Sequence, residues 1–125
     1  MIYSSDYALT SGTLSANTLE FQRFLNDAEN EVAILDSLTY TFGFFEIKPG
    51  TKLIAAKAVV NCDPALASSL PLMRGRSGVR IEGVSFVGLG PSSSRSVELC
   101  YFSGERDVKI SDCKFGNTAY MALTL

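Results

Sequence analysis

The sequence contains no histidine. That absence removes Ser-His-Asp and Cys-His catalysis, His-ligated zinc and any imidazole general base. Chemistry here would have to run on carboxylates, Tyr, Lys or Arg. Cysteine is scarce too. Cys62, Cys100 and Cys113 are too few and too widely spaced for a disulfide framework or a CxxC metal pattern, so no metal or other cofactor is expected. Charge is sparse, with 11 Lys and Arg against 13 Asp and Glu and a net charge of -2. Without a basic cluster, nucleic acid is not an expected partner. No apolar run approaches the ~20 residues that span a bilayer, so no membrane partner is expected either. The opening MIYSSDYALTSG lacks the basic and apolar regions of a secretory signal.

What is present is a repeat. GVRIEGVSFVG, beginning at Gly78, recurs as DVKISDCKFGN after 29 residues. Val79 aligns with Val108, Arg80 with Lys109, Ile81 with Ile110, Val84 with Cys113, and Phe86 with Phe115. Apolar residues alternate within each half, and Glu82-Gly83 or Ser111-Asp112 lets the chain bend between halves. A strand-corner-strand unit at a fixed period points to a solenoid. In that frame Cys113 is a small core residue in the place of Val84, not a reactive thiol.

A hydrophobic content of 46% over 125 residues suffices for one domain. Residues 1–16 read as an irregular lead-in with room for a short edge strand. Residues 17–30 read as a helix, because Phe21, Phe24, Leu25 and Ala28 form one apolar stripe and Asn17 with Glu20 fits a capping box. Such a helix would cover the first unit of a solenoid, whose terminal edges are otherwise open. Short strands are expected around Val32–Ile34, Leu38–Phe42, Phe44–Ile47, Lys52–Ile54 and Ala58–Val60, with a turn at Lys48-Pro49-Gly50. The final TAYMALTL reads as an apolar strand without a closing turn or cap, and this implies either a longer native chain or a second chain over that end.

Taken together, the helix, FFEIKPGTKLIAAKAVV, PLMRGRSGVRIEGVSFVG and VELCYFSGERDVKISDCKF resemble the pectate-lyase-like, right-handed parallel β-helix superfamily. They are most similar to the N-terminal rungs of bacteriophage tailspikes and related polysaccharide depolymerases. The resemblance spans about residues 17 to 125. It implies an all-β, right-handed single-stranded parallel β-helix of about three rungs with an N-terminal capping α-helix. It further implies a portion of a virion-tail or extracellular protein that recognises or degrades bacterial surface polysaccharide, with a homotrimer as its assembly. Within that protein this portion would be mainly structural. A stand-alone polysaccharide lyase or glycoside hydrolase fragment and a non-catalytic adhesion module are the alternatives. The family's Gly-His-Gly segment cannot exist here, Asn61-Cys62-Asp63 matches its Asn-Thr-Asp only in part, and Arg-x-Pro-x-x-Arg is absent. No catalytic residue carries over.

Glycoside hydrolysis needs two carboxyl groups flanking the bond, ~5 to 9.5 Å apart. Carboxylates on neighbouring strands ~4.8 Å apart approach that geometry, which makes Glu82, Glu98, Glu105 and Asp112 the catalytic candidates. Against this stands their ordinary use as solvent-facing charges. Tyr101 and Tyr120, near the corners, are candidates for stacking on sugar rings. Arg74 and Arg76 are candidates for an acidic sugar, or for a solvated rim paired with Glu82 or Glu105. Phe86 and Phe115 are expected to stack in the core. The inward assignment has a direct check: Ile110→Asp should abolish folding, and a soluble variant with the parental circular dichroism spectrum would overturn it.

Overall fold

The computed structural model describes residues 1–9, 14–65, 70–90, 98–118 and 122–125. The chain runs through β1 (Ile2–Tyr3), a 3-10 turn (Ser4–Asp6), α1 (Leu14–Asp27), β2 (Val32–Ile34), β3 (Thr39–Phe42), β4 (Phe45–Ile47) and β5 (Lys52–Cys62). It continues through β6 (Met73–Gly75), β7 (Arg80–Val87), β8 (Cys100–Tyr101), β9 (Lys109–Ser111), β10 (Lys114–Gly116) and β11 (Leu123–Thr124). A seven-stranded sheet has the order β1-β2-β5-β7-β10, with β3 also on β5 and β9 also on β7. A four-stranded sheet has the order β11-β8-β6-β4. Every strand pair among the described residues is parallel.

The expected class, an all-β single-stranded right-handed β-helix of about three rungs, is therefore corrected. The described residues form two parallel sheets of unequal size together with one α-helix, an α/β-like arrangement. The repeat reports which strands stack, and it says nothing about the share of the core that the helix supplies. That share is large. Phe21, Phe24, Leu25 and Ala28 are all fully buried. The Phe21 ring stacks on Phe42 at 4.2 Å and meets Phe45 edge-on at 4.8 Å. Tyr7 from the lead-in packs edge-on against Phe24 and donates its hydroxyl to Asp27 Oδ2 at 2.5 Å.

The helix also begins earlier than expected. It spans Leu14–Asp27, so Asn17 lies inside it and caps nothing. Asn17 is buried, its Oδ1 has no hydrogen-bond partner among the described residues, and Glu20 pairs instead with Arg23 at 2.7 Å. The helix also ends earlier than expected, at Asp27 and not residue 30, and beyond it Asn30 is left-handed (φ 58) and donates its N–H to the Pro49 carbonyl.

The strands differ in length more than alternation suggested. Lys52–Ile54 and Ala58–Val60 belong to one 11-residue strand, β5, which shifts register between Ile54 and Ala58. β5 carries β2 and β3 along one edge and β7 along the other. Side chains in register make columns: Ala33, Leu53, Ile81 and Ile110 in one, Val60, Phe86 and Phe115 in another. The Phe86 and Phe115 rings lie 5.5 Å apart and nearly parallel. The bend of β7 beside the β5 irregularity requires Gly83. Its φ is +76, and a Cβ there would stand 1.9 Å from the Ala55 carbonyl oxygen. Asp112 makes the matching bend one strand later at φ 52.

Because the helix supplies core, Phe21→Ala should cost about 3–5 kcal/mol of unfolding free energy. Urea denaturation measures this, and a loss below about 1 kcal/mol would mean that the helix is a dispensable lid.

Candidate functional site

The four-stranded sheet gathers most of the residues singled out for ligand binding. Register puts Phe45, Met73, Cys100 and Leu123 in one row and Glu46, Arg74, Tyr101 and Thr124 in the next. Phe45, Met73 and Cys100 are fully buried, so the alternation of strands turns the second row outward. Close approach at the end of β6 depends on Gly75, where a Cβ would fall 1.9 Å from the buried Phe102 ring. The backbone bearing Arg74 is thereby seated directly on the core.

On the outer face the Arg74 guanidinium lies over the Tyr101 ring at 5.4 Å from its centroid. Arg74 Nε is buried and has no hydrogen-bond partner, and Arg74 makes no ion pair among the described residues. Arg76 is different. Its guanidinium donates to Glu46 Oε2 at 2.9 Å and lies 3.6 Å from Glu105 Oε1. Glu46 also takes Lys48 at 3.3 Å. Ser77 donates its hydroxyl to Glu105 Oε2 at 2.6 Å. The hydrogen bond from Arg76 holds the Glu46 carboxyl below its usual range, and the Ser77 hydroxyl does the same for Glu105. Arg76 in turn is raised, mainly by its bond to Glu46.

The candidate carboxylates fall in two places, Glu82 and Asp112 on the seven-stranded sheet and Glu98 and Glu105 beside β8. Glu82 sits on β7 of the seven-stranded sheet, opposite Ile54 and Ser111, and reaches Arg80 only at 3.8 Å. Asp112 is exposed at the corner between β9 and β10. Glu98 and Glu105 flank β8 of the other sheet. Glu105, held as a carboxylate by Ser77, is poorly suited to donate a proton. Tyr120 lies outside the described residues. Cys113 is half-buried, with its thiol toward the Ile81 and Ser111 carbonyls, and burial pushes its pKa up, against thiolate chemistry. Among the described residues no group of three or more His, Cys, Asp or Glu side chains is placed to hold a metal ion. No described helix is long and apolar enough to cross a membrane.

Sequence reasoning missed two partners of this face, Gln22 and Glu46. The Gln22 amide donates to the Glu46 carbonyl at 2.9 Å and accepts the Glu46 N–H at 2.8 Å, which fixes the β4 edge. Their separation along the chain leaves no local signal. No protein-family model matches this chain, and no match to it was found among curated proteins or solved structures.

The ion-pair cluster makes a pH prediction. Both carboxyls sit below the ordinary value of 4.5, so their contribution to stability is complete above that value and is lost as pH falls through the lowered pKa values. The urea midpoint of the parent should exceed that of Glu46→Gln at neutral pH, and the two should converge well below 4.5. A gap that persists in acid would assign the difference to packing.

Proposed function

We propose that this protein binds bacterial surface polysaccharide on the outer face of its four-stranded sheet, holding the glycan without turning it over. The phage-tail or other extracellular setting, and a homotrimeric assembly, belong to the same proposal through the resemblance of the sequence. One observation carries the reading. Arg74 lies over the Tyr101 ring, and its buried Nε has no acceptor among the described residues. An unpaired buried donor costs stability unless something supplies its acceptor, and a guanidinium fork suits a carboxylate or paired hydroxyl oxygens. Tyr101 adds an aromatic edge beside that fork, on a strand and not on a mobile loop. Arg76, Glu46 and Glu105 saturate one another and frame the site.

The carboxylates support binding over turnover. The four candidates are divided between two sheets, and Glu105 is kept ionised by Ser77.

A panel of bacterial capsule and O-antigen glycans, read by a surface binding assay and by release of reducing ends, tests this. Binding by the parent should fall about tenfold or more in Arg74→Ala. Arg76→Ala should lower stability and leave glycan affinity within about threefold, the range of a surface charge. Absence of any bound glycan, or equal binding by Arg74→Ala, would overturn the proposal.

A further inference from the structure

The seven-stranded sheet carries a second feature that the polysaccharide reading does not use. Lys52 on β5 pairs in register with Arg80 on β7, and Arg80 pairs with Lys109 on β9. All three residues are exposed. Together with Gly78 and Asp107 they line an open groove of about 410 Å³. Three cations therefore stand in one column across neighbouring parallel strands. Strand spacing of ~4.8 Å makes the column roughly 10 Å long.

Like charges directly opposite one another in a sheet are destabilising. Two acids face the column. Glu82 meets Arg80 only at 3.8 Å, and Asp107 lines the groove without an ion pair among the described residues. Neither Lys52 nor Lys109 has an ion-pair partner among the described residues. The chain has few charges, yet its register sets three of one sign side by side.

We propose that the Lys52–Arg80–Lys109 column is a binding site for a linear phosphate chain. An extended chain of phosphates presents charge at short, regular intervals, with several acceptor oxygens at each. The Arg80 fork at the centre can take one phosphate through two N–H groups. The flexible Lys52 and Lys109 arms on either side act as point charges that close on its neighbours. The groove is open along the column and bears no bulky apolar side chain, so a thin chain fits it and a planar apolar ligand gains little.

Calorimetric titration of the full chain with inorganic tripolyphosphate at low ionic strength tests the site. Tripolyphosphate should bind, orthophosphate at equal ionic strength should bind far more weakly, and added salt should weaken both. The double variant Lys52→Ala, Lys109→Ala should lose about tenfold or more in tripolyphosphate affinity. Arg23→Ala, which removes a positive charge from the helix, should change it little. Asp107→Asn should tighten it. Unliganded, the double variant should be at least as resistant to heat as the parent, because the column repels itself. A double variant that binds tripolyphosphate as the parent does, or a parent that does not bind it at low salt, would overturn the proposal. So would a uronate oligomer that depends on Lys52 and Lys109 as strongly as tripolyphosphate does. The Arg74 variant separates this site from the glycan face, since the two lie on different sheets.

Discussion

A parallel sheet must do something with its edge. The N–H and C=O groups of a border strand point outward, and each one buried without a partner costs free energy. In this protein α1 provides those partners with side chains. Gln22 offers its amide to both the N–H and the carbonyl of Glu46, as a neighbouring strand would. One turn earlier, Thr18 accepts the Gly43 N–H. In the reverse direction, buried Thr51 donates to the Ala28 carbonyl just past the helix. The aromatic packing of Phe21 against Phe42 and Phe45 is possible because these polar contacts bring the helix flush against the strands. The helix is thus bound to the sheets by shape and by hydrogen bonding at once.

Once that border is fixed, register propagates. A one-residue slip in any parallel pair would turn Leu53, Ile81 and Ile110 out of the core and swing charges in. The same constraint orders the outer faces. Columns that are apolar inside oblige the alternate columns to face solvent, and there the chain has placed Glu46, Arg74 and Tyr101 on one sheet and Lys52, Arg80 and Lys109 on the other. Both candidate sites are therefore by-products of core register, made of residues distant in sequence and adjacent in space.

Much of this was legible in the chain, in proportion to how local the cause is. The 29-residue repeat named the partners of Arg80, Ile81 and Phe86 correctly, because cross-strand stacking preserves spacing. The apolar stripe from Phe21 to Ala28 marked the buried face of the helix. The helix start was misread, since Asn17 and Glu20 satisfy a capping pattern that tertiary packing overrides. The fold class was misread because a repeat describes stacking and not the weight of the helix in the core. Of the proposed ligand contacts, Arg74 and Tyr101 do meet, but the division of labour between Arg74 and Arg76 depends on Glu46, which no pattern linked to them. The cationic column was visible in principle: Lys52-Leu53-Ile54 is the first copy of the unit that recurs as Arg80-Ile81-Glu82 and Lys109-Ile110-Ser111.

The left-handed corners have a consequence for how such a chain can change. At the shared bend one strand uses Gly83, which has no room for any side chain, whereas the next uses Asp112, which keeps one. The two copies of the unit are therefore not interchangeable. The inner copy is locked to glycine by the neighbouring carbonyl, and the outer copy keeps a side chain, of the few kinds that tolerate a left-handed backbone. Exchange between the copies therefore runs one way: glycine would fit at Asp112, whereas no side chain would fit at Gly83.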